Sequence, residues 1–262
     1  YDFLNLDWQI EQAAQADIPV TLVIGMRVPR WPECHVPAWG RELSISNFQF
    51  SKELQMHLLI YMEEVVNRYK DNPTITIWQM ENEPYLQFGL CAERTPDFLE
   101  EEINLVKQLD PSRPVLITDS GEFGTWYRAA KTGDIFGTTM YRRVYPPSVG
   151  HITGIIDYPI GPSFFRLKEK VFRALIQDNE KPFIVAELQA EPWGKFILPE
   201  LSYEEQRELF PIDYFRETIE FAKETGFGEY YLWGAEWWYW AGARHNNWEY
   251  WEEVGELIRR DG

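Results

Sequence analysis

Short apolar runs alternate with amphipathic segments along the chain, and this alternation predicts an α/β fold built from parallel β/α units. A (β/α)8 TIM barrel is the predicted architecture, because that fold repeats the unit eight times over typically about 250 residues. A doubly wound open sheet is the alternative, but the Gly-rich phosphate-binding turn that is typical of it is absent from the sequence. No linker or repeat divides the chain, so residues 1–262 are predicted to form a single domain.

The strands are predicted from short apolar runs that end at polar residues, Gly or Pro. An apolar run such as Val20–Gly25 is typical of a parallel strand that is buried on both faces. By this criterion the six strands are 20–25, 75–80, 115–118, 135–141, 183–187 and 229–233.

The helices are predicted from helical spacing of apolar residues and from signals at their ends. They are 6–16, 51–70, 97–109, 127–131, 164–177, 202–225 and 248–260. Ser202 and Glu205 form a capping-box pattern at the start of the sixth helix, and Gly226 is suited to its end. Pro211 is expected to break or kink that helix.

A full barrel needs two more β/α units than the six that are recognisable. We expect the first two strands to be missing at the N-terminal end, because the six units occupy the chain from Val20 onwards. The chain begins Tyr1-Asp2-Phe3, without Met and without a signal-peptide pattern. The domain is therefore predicted to be truncated at its N-terminus, and its cellular location is not predicted.

Composition excludes several functions. The chain has 25 basic and 42 acidic residues, and a net charge of −17 argues against nucleic acid as a partner. No apolar run is long enough to span a membrane. Cys34 and Cys91 allow one disulfide at most, and the scattered His and Cys residues predict neither a metal site nor a cofactor. The 12 Trp residues are an unusually large number, which a groove that stacks flat ligand faces would explain in part.

Glutamates follow two of the predicted strands. The second strand ends in the segment 78–84 (WQMENEP), which contains Glu83, and the fifth delivers Glu187 to its end. Catalytic groups of a TIM barrel lie at the carboxyl ends of the strands, so these two side chains are expected on opposite walls of one mouth. Two facing carboxylates are what glycoside hydrolysis requires, and a retaining enzyme needs them about 5–5.5 Å apart.

The segment 78–84 resembles the fourth-strand Asn-Glu-Pro motif of clan A glycoside hydrolases, a retaining TIM-barrel group with cellulase-like, mannanase-like and β-galactosidase-like members. The resemblance implies that Glu83 is the acid/base and that Asn82 contacts the sugar 2-hydroxyl. It implies that Glu187, at the end of the clan's seventh strand, is the nucleophile. The clan's Arg at the end of strand two has no counterpart here, because that strand is expected to be missing.

Two aromatic residues complete the resemblance. Tyr141 stands where a Tyr of the clan often donates a hydrogen bond to the nucleophile, and Trp233 matches the Trp that forms the floor of the −1 sugar site. The resemblance extends from about Val20 to the end of the chain, so 1–262 is predicted to be a glycoside hydrolase catalytic domain.

Further candidates lie in the loops after the strands. Arg27, Trp31 and Glu33 follow the first strand and either line the negative subsites or form a solvated loop. Trp237 is predicted to be a sugar platform among several core tryptophans, and His245 is a candidate ligand contact.

Three acidic residues near strand ends are predicted to be structural. Asp119 and Glu122 are expected to serve a cap or a turn. Glu81 is expected on the same side as Glu83, as a salt-bridge partner or a modulator of its pKa.

The predicted function is a retaining glycosidase that cleaves a β-linked oligo- or polysaccharide by double displacement. A non-catalytic carbohydrate-binding TIM barrel is the alternative, but a lectin would need neither glutamate. Loops decide the sugar, the linkage and the endo or exo action, so none of these is predicted.

Overall fold

Apolar runs form the strands in the computed structural model, which describes residues 1–43, 51–86, 89–91, 96–146 and 149–261. All six predicted strands are present within these ranges. A short antiparallel pair, β5 and β6, was not predicted. In chain order the strands are β1 (Val20–Ile24), β2 (Ile75–Met80), β3 (Val115–Asp119), β4 (Ile135–Met140), β5 (Arg143–Val144), β6 (Ile156–Asp157), β7 (Phe183–Gln189) and β8 (Tyr230–Trp233).

Helices follow the strands in the predicted order. They are α1 (Leu4–Gln15), α2 (Ala38–Leu43), α3 (Lys52–Tyr69), α4 (Pro96–Leu109), α5 (Tyr127–Thr132), α6 (Gly150–Thr153), α7 (Pro162–Ile176), α8 (Tyr203–Leu209), α9 (Ile212–Thr225), α10 (Ala235–His245) and α11 (Glu249–Asp261). The predicted helix 202–225 is divided into α8 and α9 at Pro211, so the break is confirmed. The capping box of Ser202 and Glu205 is confirmed as well. The helices α2, α6 and α10 were not predicted.

The chain forms two compact units. Unit 1 comprises Tyr1–Gly137 and Leu175–Pro182, and unit 2 comprises Thr138–Ala174 and Phe183–Gly262. The single-domain assignment made from the sequence stays a prediction.

In unit 1, β2 pairs in parallel with β1 on one side and with β3 on the other. Helix α3 covers the core with one apolar face, formed by Leu54, Leu58, Met62, Val65, Val66 and Tyr69. The helix begins at Ser51, whose hydroxyl accepts the Leu54 N–H. A disulfide joins Cys34 and Cys91, and both cysteines lie in this unit.

In unit 2, β7 is buried along its whole length and pairs in parallel with β8. The register contains an irregularity: Val185 lies opposite Tyr230, whereas Leu188 lies opposite Leu232. Strand β7 therefore has one more residue than β8 over this stretch, which is a β-bulge. Glu187 lies within the bulge.

No helix among the described residues is both long enough and apolar enough to cross a lipid bilayer.

Candidate active site

The turn after β2 is the first candidate group. Strand β2 ends at Met80, and both Glu81 and Glu83 have positive φ angles, 57° and 42°. Such angles are uncommon for residues other than glycine and mark a tight backbone turn. Side chains alternate between the two faces of a regular strand, and this alternation predicted that Glu81 and Glu83 point to the same side. The strand ends before both residues, so the alternation does not apply to them.

Glu81 holds the loop that follows β1. Its buried carboxylate accepts the backbone N–H of Met26 at 2.9 Å and that of Arg27 at 2.6 Å. Gly25 makes this close approach possible, because a Cβ atom there would lie 2.3 Å from the carboxylate oxygen of Glu81. The predicted structural role of Glu81 is confirmed, and it acts through backbone amides.

Asn82 is buried and held by its side-chain amide. Its Oδ1 accepts from Gln79 Nε2 at 3.2 Å and from the Thr118 hydroxyl at 3.3 Å, while its Nδ2 donates to Glu33 Oε2 at 3.4 Å. Partners on three different segments therefore fix the amide.

Glu83 is held through its backbone. Its N–H donates to the Thr118 hydroxyl at 2.8 Å, and its side chain is buried, with 8% of the residue exposed. Thr118 lies in β3, the neighbour of β2. Its hydroxyl therefore links β3 to Asn82 and Glu83, which follow β2.

The loop after β1 is buried rather than solvated at two of its three candidate residues. Arg27 is buried, donates from Nη1 to the Leu86 carbonyl, and has its Nε 4.0 Å from Glu33 Oε2. Burial raises the pKa of Glu33 above its ordinary value, and Arg27 opposes that rise. Trp31 is half exposed and offers a ring face to solvent or ligand. Arg27 therefore supports this loop, and its assignment as a substrate contact stays a prediction.

The second group lies in unit 2, around Glu187. Only 7% of this glutamate is exposed, and its Oε2 accepts a hydrogen bond from the Tyr141 hydroxyl at 2.8 Å. The hydrogen bond that the resemblance implied is present. Gln189 fixes the chain just after Tyr141, because its Oε1 accepts the N–H groups of Arg142 and Arg143, each at 3.0 Å.

Two tryptophans belong to the same end of β7 and β8: Trp193 follows β7, and Trp233 ends β8. Trp233 donates from Nε1 to the buried carboxylate of Glu191 at 3.1 Å, which orients the indole. Trp193 packs edge-on against Tyr141, with ring centroids 5.1 Å apart. Sequence reasoning missed Trp193, although an aromatic residue in the loop after β7 satisfies the criterion used for the other candidates.

Trp237 and His245 both lie on α10. Trp237 is buried, donates to Gln206 Oε1 at 2.7 Å and packs against Tyr250. Trp237 is therefore a core residue, which corrects its assignment as a sugar platform; an amphipathic pattern cannot show which tryptophan of a rich segment turns inwards. His245 is exposed, and its ring stacks on that of Tyr203 with the ring centroids 4.0 Å apart.

The predicted role of Asp119 in a turn is confirmed. Its carboxylate accepts the N–H of Ser120 at 2.9 Å and that of Trp126 at 2.8 Å, just before α5 begins. Over the described ranges, no group of three or more His, Cys, Asp or Glu side chains is arranged to hold a metal ion.

Parallel β/α units and an Asn-Glu-Pro turn at a strand end define the class of TIM-barrel glycoside hydrolases. The family model described as glycosyl hydrolases family 2, TIM barrel domain, matches residues 33–247. Since this is most of the chain, the chain belongs to that family. The (β/α)8 fold class predicted from the sequence is confirmed.

Individual relatives are more distant. A probable mannan endo-1,4-beta-mannosidase A-1 from Aspergillus terreus is 33% identical over 122 residues, which is 45% of this chain and 30% of that protein. The Homo sapiens beta-glucuronidase is 27% identical over 153 residues, covering 58% of this chain and 22% of the relative. The chain thus spans less than a third of the length of these curated relatives.

Solved structures agree on the fold. A beta-galactosidase from Bacillus circulans sp. alkalophilus has a TM-score of 0.61 and 15% identity, covering 89% of this chain and 43% of that one. At such low identity the likeness concerns the fold alone.

Proposed function

We propose that this chain is the catalytic part of a retaining glycosidase, with Glu187 as nucleophile and Glu83 as acid/base. The observation that carries the proposal is the hydrogen bond from Tyr141 to the buried Glu187 carboxylate. A carboxylate that attacks carbon must be ionised and held in one orientation, and a hydrogen bond donated to it favours both conditions.

The chemistry proceeds in two displacements. In the first, Glu83 donates its proton to the glycosidic oxygen while Glu187 attacks the anomeric carbon, so that the aglycone leaves and a glycosyl-enzyme forms. In the second, Glu83 removes a proton from water as the water attacks the same carbon and releases Glu187. Each displacement inverts the anomeric centre, so the product retains the β configuration.

The surrounding residues supply binding. We assign the Asn82 amide to the sugar 2-hydroxyl, as the clan resemblance implies, and the Trp233 indole to the face of the sugar ring. Trp31 and His245 are exposed enough to contact more distant sugars. The substrate class is a β-linked oligo- or polysaccharide, in agreement with the mannosidase and glucuronidase names of the relatives.

Two alanine variants in the full-length protein test the roles. Glu187→Ala should reduce turnover of every aryl β-glycoside to background, because no group remains to attack the anomeric carbon. Glu83→Ala should retain the first step on a dinitrophenyl glycoside, whose leaving group needs little acid assistance, and should accumulate the glycosyl-enzyme. Glu180→Gln, an exposed glutamate in the turn before β7, is the control and should leave turnover unchanged.

Azide then separates the two roles by stereochemistry. Azide should rescue Glu83→Ala and give a β-glycosyl azide, since it attacks the glycosyl-enzyme without needing a base. Rescue of Glu187→Ala should give an α-azide, because the anion replaces the nucleophile itself. The reverse pattern would exchange the two assignments. Full activity in both variants would show that these two glutamates are not the catalytic pair. Sugar binding without turnover of any aryl β-glycoside by the unsubstituted protein would instead favour the non-catalytic carbohydrate-binding barrel.

A further inference from the structure

We propose that Glu33 is a positioning residue, which orients the Asn82 amide so that its second N–H is presented to the 2-hydroxyl of the substrate. This inference rests on the proposed function, because it concerns the same sugar contact. Glu33 acts through Asn82 and does not itself touch the sugar.

The hydrogen bonds around Asn82 assign the orientation of its amide. The Glu83 N–H can only donate, so the Thr118 hydroxyl that accepts it has its own hydrogen available for another acceptor. That hydrogen is directed to Asn82 Oδ1, which also accepts from Gln79 Nε2. Both lone pairs of Oδ1 are thus used, and Nδ2 must face the other way.

Glu33 receives the amide on that other side. Its Oε2 accepts one N–H of Asn82 at 3.4 Å, and an amide nitrogen carries two. A carboxylate is a stronger acceptor than a neutral oxygen, so it holds the amide against rotation. The buried guanidinium of Arg27, with its Nε 4.0 Å from the same Oε2, keeps a positive charge beside it.

The loop that carries Glu33 is held in place from several sides. Glu33 has a φ of 71°, and a Cβ atom on Gly89 would lie 2.6 Å from the Glu33 Cβ. The Leu90 N–H donates to the Pro32 carbonyl at 3.0 Å. Cys34, the residue after Glu33, forms a disulfide with Cys91, the residue after Leu90. A strained backbone fixed by so many contacts is typical of a residue whose position matters for function.

Matched substrates test the inference. The full-length protein is assayed on a dinitrophenyl β-glycoside and on its 2-deoxy counterpart, because this leaving group makes the result insensitive to a small displacement of Glu83. Glu33→Ala should lower kcat/KM for the 2-hydroxy substrate by about 10- to 100-fold. The kcat/KM for the 2-deoxy substrate should change by less than about threefold. Glu33→Gln, which keeps the shape and an acceptor oxygen, should give an intermediate loss and decides the matter if Glu33→Ala does not fold.

Asn82→Ala and the double variant complete the cycle. Asn82→Ala should show the same selective loss, and adding Glu33→Ala to it should cause little further loss, since the two residues act on one contact. Two results would overturn the inference and leave Glu33 with a structural role. One is an equal loss of kcat/KM on both substrates in Glu33→Ala, and the other is a loss in the double variant equal to the product of the two single-variant losses. If Asn82→Ala itself did not distinguish the substrates, the 2-hydroxyl assignment in the proposed function would fail first.

Discussion

Glu83 follows β2 and Glu187 lies within β7, and the two units hold these glutamates in different ways. In unit 1 the contact described for Glu83 acts on its backbone, which is turned at a positive φ and bound to the Thr118 hydroxyl. In unit 2 the contact acts on the carboxylate itself, through Tyr141, and the backbone lies in a bulged strand.

The difference fits the two proposed roles. An acid/base must change its protonation state between the two steps, so fixing its backbone defines its place without favouring one state of the carboxyl group. A nucleophile must stay ionised until it attacks, so a donor on its carboxylate serves it directly. Substitutions that remove each contact should therefore have different signatures.

Tyr141→Phe should give the largest effect. It removes a hydrogen bond to a charged group, a loss of about 1.5–3 kcal/mol that corresponds to roughly a 10- to 150-fold fall in kcat/KM. The fall should be similar for aryl glycosides with good and with poor leaving groups, because Glu187 attacks all of them. A fall confined to poor leaving groups would show that Tyr141 serves the acid instead.

Thr118→Val should have a smaller effect with the opposite dependence on the substrate. The change keeps the shape but leaves the Glu83 N–H and the Asn82 oxygen without their hydroxyl partner. We expect about a tenfold fall in kcat/KM for poor leaving groups and less for good ones, and a loss of about 1–3 kcal/mol in the free energy of unfolding. Thr139→Val, also buried and in β4, is the matched control for loss of a buried hydroxyl. If both variants showed the same fall in kcat/KM and the same dependence on the leaving group, Thr118 would have no special role in placing Glu83.

Glu33→Gln should have the smallest effect, a change in how the free energy of unfolding depends on pH. Burial raises the pKa of Glu33 in the folded state, so its stabilising contribution is present at low pH and is lost as the pH rises through that pKa. The neutral variant lacks this loss, and it should therefore gain stability relative to the native protein as the pH rises above the ordinary pKa of a glutamate, about 4.3. Denaturant unfolding at several pH values measures the difference. A relative gain by the native protein over that range would mean that Arg27 outweighs burial.

The sequence predicted the strands and the strand-end residues because both depend on local patterns. Apolar runs such as those of β2 and β7 mark buried parallel strands wherever they occur, and a glutamate that follows one is visible in the chain itself. The Asn-Glu-Pro turn was recognisable for the same reason. The half-exposed Trp31 and the buried Trp237 were not distinguishable, because both lie in tryptophan-rich segments.

By itself, then, the sequence determined the six parallel strands, most of the helices and the family that the chain resembles, but not β5, β6, α2, α6 or α10. The tertiary structure alone decided the bulge at Glu187, the burial of Glu33 and the orientation of the Asn82 amide. The physical reason is distance along the chain. Glu33 lies 49 residues from Asn82, and Tyr141 lies 46 residues from Glu187, so each hydrogen bond exists only once folding brings separate strand ends together.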